Sequence, residues 1–508
     1  MVSQALAEKI YKSFYTKSDP IVYYMVKMLN LSTNMTVFEP CAGDGVFIDA
    51  VLKAVPSCLM VAFELNPNAI KTLKVKYRNN RIVNIVEGDT LTDPNLLWKA
   101  NAGGVYDRII ANPPYGGWQD YRKRKLLKKL FPTLYVKETY SVFLYRCIQL
   151  LKENGILTFI IPDTYLNLHM HTKLREFILT KTKILEIVLF PSSFFPGVNF
   201  GYSNLSIITL QKCSKRDICL EHIARVISGF NKVDELVDVA DKHDNKFNIY
   251  CFTQKQIFNN IDHALFVNGN PEVMNLINKS SIRTGDIAEC VTGFYSGNDK
   301  QYLRVAKENV KNTSKYKVIN SNLICNNYGT REDLLDGIEG NKCFVPIIKG
   351  GGIKFYKSNL WFIDWSKEAV KEYKNSKKAR FQNSSFYFKE GIGVPMISSS
   401  QITASILENR LFDQSIVGIF PKDRSLLFYL LAFFNTPTCN KLIRTINPSA
   451  NNPANYIKKI PVLFPSSKSI QSEIEGLTKN IIAEMKEGGG LDCKKYKRII
   501  EIFFDIYG

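Results

Sequence analysis

The sequence predicts an α/β fold, a Rossmann-like and largely parallel sheet in its first half, followed by a second domain of α+β type. Three observations carry this reading. From Met35 to about Gln211 short β-rich runs alternate with amphipathic segments, the pattern of βαβ units. The first run ends in a glycine-bearing turn, Phe38-Glu39-Pro40-Cys41-Ala42-Gly43-Asp44-Gly45. After Lys212 the pattern breaks, and the chain becomes rich in Asn, Ser, Tyr and short β runs.

Strands are predicted over Met35–Glu39, Leu59–Glu64, Val83–Glu87, Tyr106–Ala111, Ile156–Ile161, Ile184–Leu189 and Ser206–Gln211. A helix over Thr139–Lys152 is closed at Gly155. The polar stretch Lys242–Asn248 reads as a linker, which sets the domains at residues 1–240 and 245–508. In the second domain helices are predicted at Ser425–Phe434 and Ile470–Met485; Ile470, Ile474, Leu477 and Ile481 give the latter one apolar stripe, read as packing.

A chain of 508 residues exceeds one ordinary core. Its 45% hydrophobic and 22% charged content is that of a globular protein. A formal charge of +20 favours a polyanionic partner, most simply nucleic acid, over a merely Lys-rich surface. The eleven cysteines form no CxxC pair and no zinc spacing, so they read as reduced, with no metal site. Met1 to Phe14 carries Glu8, Lys9 and Lys12 and no long apolar run, so no signal peptide is predicted. No stretch has the length of a membrane span. A soluble, cytoplasmic protein with no membrane partner is expected.

The glycine turn lacks the third glycine of a dinucleotide fingerprint, since Phe47 and Ile48 follow Gly45. Its acids Glu39 and Asp44 repel a pyrophosphate and suit a ligand with positive charge. Glu64 ends the next strand, placed to accept hydrogen bonds from ribose hydroxyls, and Asp89 follows the third, placed for an adenine amine. As a solvated strand-end acid each is unremarked alone; in register on consecutive strands the three fit S-adenosyl-L-methionine.

Asn112-Pro113-Pro114-Tyr115 ends the fourth strand. Neither proline has an N–H, so carbonyls in this turn are left for a substrate. The Asn112 side-chain oxygen and the Pro113 carbonyl can both accept from one –NH2 group, which localises the nitrogen lone pair. In-line transfer to that nitrogen needs alignment more than a strong base. Tyr115 offers a face for a planar base. The basic run Arg122-Lys123-Arg124-Lys125, followed by Lys128 and Lys129, is either a solvated helix face or a set of phosphate contacts; its place beside the turn favours phosphates.

These residues resemble the amino-group DNA methyltransferases of the adenine-N6 type, gamma order, which serve as modification enzymes and as the methylase portions of some restriction systems. The resemblance spans most of Tyr15 to Gln211. Tyr15-Thr16 with Ile21-Val22 is similar to the family's N-terminal cofactor motif, although Lys17 stands where Pro is usual. Phe38–Gly45, Glu64 and Asp89 resemble the three cofactor motifs, Asn112–Tyr115 the catalytic motif, and Phe143 the aromatic lining the cofactor adenine. Gly155–Pro162 resembles the next core strand. Ser193-Phe194-Phe195-Pro196-Gly197 resembles the motif whose aromatic covers an extruded base, with Phe195 the choice and Phe200 the alternative. The resemblance implies a seven-stranded methyltransferase sheet. It implies a cofactor set of Tyr15, Thr16, Glu39, Pro40, Cys41, Ala42, Gly43, Gly45, Glu64, Asp89, Thr90, Asn112, Pro114 and Phe143. It implies catalytic roles for Asn112, Pro113, Pro114, Tyr115 and Phe195, and DNA contacts by Arg122, Lys123, Arg124 and Lys125.

The C-terminal part of such enzymes is a target-recognition domain. Gly285–Asp299 and Asn455–Val462 loosely resemble its opening and closing segments, and the Asn447–Asn455 loop and Arg380–Lys389 are candidate base readers. The implied function is site-specific methylation of adenine N6 in duplex DNA held in a basic cleft between the domains, after base flipping. The chain would be a monomeric modification component, with any restriction endonuclease in another polypeptide. An RNA adenine or a protein glutamine is the alternative substrate; a catalytically idle DNA-specificity subunit and an NAD-dependent oxidoreductase fit the motifs less well.

Overall fold

The computed structural model describes residues 16, 18–115, 121–195, 204–243, 246–267, 271–307, 314–325, 331–398, 401–447 and 450–508. The chain divides into two units, Met1–Val267 and Asn268–Gly508.

In the first unit nine strands form one sheet: β1 (Thr36–Glu39), β2 (Leu59–Glu64), β3 (Val83–Glu87), β4 (Tyr106–Ala111), β5 (Leu151–Pro162), β6 (Thr182–Phe190), β7 (Leu205–Lys212), β8 (Ile223–Ser228) and β9 (Asn248–Thr253). Their order is β3-β2-β1-β4-β5-β7-β6-β8-β9. From β3 to β5 all neighbours are parallel, and β7 runs antiparallel between β5 and β6. The α/β class and the seven strands read from the sequence are present. The sheet is larger than expected because β8 pairs parallel with β6 and β9 antiparallel with β8.

That extension corrects the domain boundary. The polar stretch at Lys242–Asn248 leads into β9, so it joins two elements of the first unit, and the division falls at Val267 rather than at 240–245. A polar composition marks solvent exposure, and a hairpin-like return has as much of that as a linker. Gly155 is the second correction. The helix preceding β5 ends at Leu150, and Gly155 lies inside β5, where a Cβ would meet Lys152 O at 2.9 Å and Asp107 O at 3.1 Å. Close backbone approach, not helix termination, is what requires glycine there.

The helices used below are α1 (Asp19–Met28), α2 (Val46–Ala54), α3 (Pro67–Lys76), α4 (Pro94–Asn101), α5 (Tyr121–Leu130) and α6 (Thr139–Leu150). Helix α1 buries Ile21, Val22, Tyr24, Met25 and Val26, a stripe of helical spacing. It is tied down at its middle and just beyond its C-terminal end. Tyr24 donates to Glu186 on β6, which also pairs with Arg225 on β8. Arg108 on β4 donates from Nε to Leu29 O at 2.5 Å and from Nη2 to Asn30 O at 3.0 Å.

The second unit holds two further sheets. One has four strands, β10 (Ala288–Thr292), β18 (Ile416–Pro421), β15 (Gly391–Pro395) and β16 (Ser405–Leu407), in that order. The other has five: β12 (Lys317–Val318), β11 (Leu303–Val305), β14 (Trp361–Asp364), β13 (Phe344–Ile348) and β17 (Leu411–Phe412). An aromatic core of Phe294, Trp365, Tyr373, Tyr387 and Phe412 fills this unit. The two segments singled out in the sequence meet in space: Thr284 N donates to Ile460 O at 2.9 Å and Gly285 N to Lys458 O at 2.9 Å. The striped helix runs over Lys468–Lys486 with Ile474 and Ile481 buried, and packs on the helix Leu427–Phe433. Among the described residues no helix is long and apolar enough to cross a membrane. Seven of the eleven cysteines are buried and none is in a disulfide.

Asp163, the residue after β5, is half-buried, and its partial removal from solvent pushes its carboxyl from 3.8 up to about 6. Between these values the folded state holds a proton that the unfolded chain releases. Its contribution therefore weakens stability as pH rises through that window, by about 3 kcal/mol once above it. Asp163→Asn keeps an acceptor for the Asn204 backbone and removes the titration. Urea denaturation from about pH 4 to 7 is expected to show the variant gaining on wild type as pH rises; a pH-independent difference would contradict the raised carboxyl pKa.

Candidate functional site

Strands β3, β2, β1 and β4 are parallel, so their carboxyl ends share one edge of the sheet. The chain reverses its direction of winding between β1 and β4, the topological switch where open α/β sheets bind ligands. Glu39 ends β1 and Asn112 follows the last residue of β4, so the two lie at that switch.

The turn after β1 needs glycine on steric grounds. Gly43 and Gly45 have φ of 55° and 80°, and a Cβ on Gly45 would stand 2.8 Å from Leu73 Cδ2 and 2.9 Å from Tyr77 Oη. Tyr77 Oη in turn lies 2.7 Å from Asp49 Oδ1 and 3.2 Å from Gly45 O. Sequence reasoning missed this Tyr77–Asp49 brace. Its partners are 28 positions apart and meet only because α2 and α3 flank the same strands.

The acids of the edge have distinct situations. Glu64 is 8% exposed and its carboxylate accepts three backbone N–H groups: Gly43 at 2.7 Å, Leu65 at 2.8 Å and Asn66 at 2.7 Å. It clamps the glycine turn to the end of β2. Glu39 is 1% exposed, and its Oε2 has no hydrogen-bond partner among the described residues. Burial first, then the charges of Asp44 and Glu64, hold its carboxyl well above the usual carboxylate range. Leaving such an atom unpaired costs on the order of 1–3 kcal/mol, a penalty that a ligand donor would relieve. Asp89 accepts Leu91 N at 3.1 Å and pairs with Lys123 Nζ at 2.9 Å. Thr90 Oγ1 donates to Pro40 O at 2.6 Å, tying the loop after β3 to the turn after β1.

Asn112 is held at two points. Its Nδ2 donates to Thr16 Oγ1 at 3.1 Å, and its main-chain carbonyl accepts from Cys41 Sγ at 3.4 Å. The Asn112 main-chain carbonyl, outside the β4 ladder, thus serves Cys41. Burial, with the Glu39 and Glu64 charges, raises the Cys41 thiol well above its ordinary pKa, so it stays protonated and donates. Tyr115 is 5% exposed, and burial pushes its hydroxyl up as well.

The structure therefore joins Thr16, Pro40, Cys41, Gly43, Glu64, Thr90 and Asn112 in one bonded network, with Glu39, Ala42 and Gly45 in the same turn. Pro113 is buried and Pro114 half-buried. Phe143 on α6 and Phe195 belong to the first unit's core. Phe195 is 1% exposed, so in this conformation its ring is packed inside rather than offered to a base. Tyr15 and Phe200 lie outside the described residues. The basic run forms α5, where Arg122, Lys125, Lys128 and Lys129 are exposed, Arg124 is half-buried and Lys123 is turned to Asp89. The four-residue phosphate set is to that extent divided: side chains on one helix turn point in different directions. Among the described residues no group of three His, Cys, Asp or Glu is arranged to hold a metal.

The donor set fits S-adenosyl-L-methionine. A buried carboxylate oxygen awaits a donor or cation at Glu39, the glycine turn brings backbone close to the crevice, and Asp89 is an acceptor at the next strand end but one.

Residues 48–195 match the Eco57I restriction-modification methylase family. The chain is 28% identical over 321 residues to the type II methyltransferase M.AccI of Acinetobacter calcoaceticus, covering 59% of this chain and 55% of that one. It is 25% identical over 343 residues to the type II methyltransferase M.HindII of Haemophilus influenzae, covering 61% and 57%. It is 22% identical over 393 residues to the adenine-specific methyltransferase PglX of Lacticaseibacillus casei, covering 75% and 31%. The chain thus spans about half the length of M.AccI and M.HindII and about a third of PglX. Among solved structures, the DrdV–DNA complex superposes with a TM-score of 0.56 at 11% identity, covering 95% of this chain and 58% of that one. At this identity the likeness is one of fold.

Any ligand that places a donor on Asp89 must share it with Lys123. Lys123→Met is expected to tighten S-adenosylmethionine binding about fivefold in calorimetry, the scale of about 1 kcal/mol for a part-exposed ion pair. An unchanged Kd would show that the pair and the ligand do not compete.

Proposed function

We propose that this chain is a site-specific DNA methyltransferase that uses S-adenosyl-L-methionine to methylate N6 of adenine in duplex DNA, as the modification component of a restriction-modification or related system. The observation that carries the proposal is Asn112-Pro113-Pro114-Tyr115 at the end of β4, bonded to the acidic glycine turn at the end of β1. The similarity to modification methylases over residues 48–195 supports it.

The cofactor, when bound, supplies a methyl group already activated on a sulfonium. Glu39 would receive its cationic end, the backbone of Gly43 to Gly45 its close approach, and Asp89 its adenine, with Tyr15, Thr16, Pro40, Cys41, Ala42, Glu64, Thr90, Pro114 and Phe143 completing the pocket. The chain's own work is alignment. Asn112 Oδ1 and the Pro113 carbonyl would hold both hydrogens of the substrate amine, drawing the nitrogen lone pair out of the ring. Tyr115 would stack on the extruded base, and Phe195 or Phe200 would close its other face after rearrangement. Base extrusion costs about a few kcal/mol, repaid by these contacts. Arg122 and Lys125, exposed on α5, are candidate phosphate contacts, and Lys123 and Arg124 would join them on moving. The second unit, as a target-recognition domain, would read the sequence, and a restriction endonuclease or specificity subunit is a natural partner. We take the acting form to be a monomer in the cytoplasm.

Duplex DNA is favoured over an RNA adenine or a protein glutamine by the size of the second unit, and over a protein substrate also by the net charge of +20. Methyl-transfer assays with labelled cofactor on duplex DNA, RNA and protein are expected to label DNA alone, at adenine. Asn112→Ala is expected to lower methyl transfer by orders of magnitude with cofactor Kd little changed. Labelling of RNA or protein in preference to DNA would replace this reading, and collapse of cofactor binding in Asn112→Ala would reverse the assigned roles.

A further inference from the structure

Asn112 must present one end of a nearly symmetric carboxamide to the substrate amine: the oxygen accepts, while the nitrogen end would repel. Nothing in the tetrapeptide itself chooses between the two orientations. The nitrogen end is engaged by a residue 96 positions earlier, Thr16, which is 4% exposed and whose Oγ1 accepts the Asn112 amide at 3.1 Å. Thr16 lies just ahead of α1, whose first turn is closed by Val22 N on Ser18 O at 3.0 Å. That helix is pinned at one face by Tyr24 to Glu186 and at its end by Arg108 to Leu29 and Asn30. The threonine hydroxyl is therefore delivered by an anchored element, not by a free arm. Cys41, with its protonated thiol on the Asn112 carbonyl, fixes the main chain of the same residue from the turn after β1.

Resting on the function proposed above, we infer that Thr16 and Cys41 are positioning residues. Thr16 orients the Asn112 carboxamide with its oxygen toward the substrate amine, and Cys41 sets the backbone from which that side chain projects. The N-terminal cofactor motif thus acts on the methyl acceptor as well as lying beside the donor. Loss of the Thr16 contact loosens the carboxamide, and misalignment of the acceptor by about 1 Å costs on the order of a hundredfold in rate.

Thr16→Val keeps the shape and removes the acceptor; Thr16→Ser keeps the acceptor. With saturating cofactor and duplex DNA, Thr16→Val is expected to lower the single-turnover rate about 10–100-fold. Cofactor Kd and 2-aminopurine fluorescence at the target base, which reports extrusion, should stay near wild type. Thr16→Ser should restore the rate, and Cys41→Ala should show the same pattern to a smaller degree. The bond itself is read independently by the Asn112 side-chain 15N amide signal. Its protection from hydrogen exchange should be lost in Thr16→Val and kept in Thr16→Ser. A variant that weakens cofactor binding while the rate at saturation is unchanged would make Thr16 a cofactor ligand and overturn the inference; so would an Asn112 amide equally protected in all three proteins. Absence of methyl transfer by the wild type would instead count against the proposed function, leaving the exchange experiment to decide the brace.

Discussion

Glu39 is buried to 1% exposure at the end of β1, with Asp44 and Glu64 close enough to raise its pKa further. A carboxyl so placed destabilises the isolated fold, and core packing around it has to offset that cost. Its surroundings are arranged to hold it regardless. Glu64 spends its own hydrogen-bonding capacity on three backbone N–H groups, which fixes the glycine turn, and Thr90 fixes Pro40 behind it. The result is a rigid acidic cradle whose one unmatched oxygen suits a donor or a positive charge.

The same edge carries a second constraint, alignment of the acceptor. Strand β4 brings Asn112 beside that cradle through its pairing with β1, in which Val37 faces Arg108 and Phe38 faces Ile109. Two elements distant in sequence then brace it, Thr16 ahead of α1 and Cys41 within the turn. On the proposed function, donor cradle and acceptor grip would share residues, since Cys41 lies in the acidic turn and bonds to Asn112. Moving either would move both, which suits a reaction in which geometry does most of the catalytic work.

Lys123 adds a connection outward. It sits on the basic helix that follows Asn112–Tyr115, yet in this conformation it satisfies Asp89. On the proposed function, one lysine would serve two kinds of anion, a strand-end carboxylate and the phosphates proposed for the exposed Arg122 and Lys125. The two demands are exclusive, because one ammonium cannot be in contact with both at full strength.

The sequence by itself determined seven strands of the first sheet, the glycine turn and the tetrapeptide, because apolar runs, glycines and prolines are local signals that neighbouring residues impose on one another. It also placed Glu39, Glu64, Asp89 and Asn112 on one sheet edge, since parallel βαβ winding leaves no other place for strand ends. Tertiary structure alone decided the rest. The β8–β9 extension moved the domain boundary to Val267, because a polar stretch looks the same in a linker and in a return to a sheet. The Thr16–Asn112, Cys41–Asn112, Tyr77–Asp49 and Lys123–Asp89 contacts, and the burial of Phe195, depend on which side chains meet across folded elements. No local pattern encodes such meetings, since each is fixed by the register and packing of strands and helices distant in the chain.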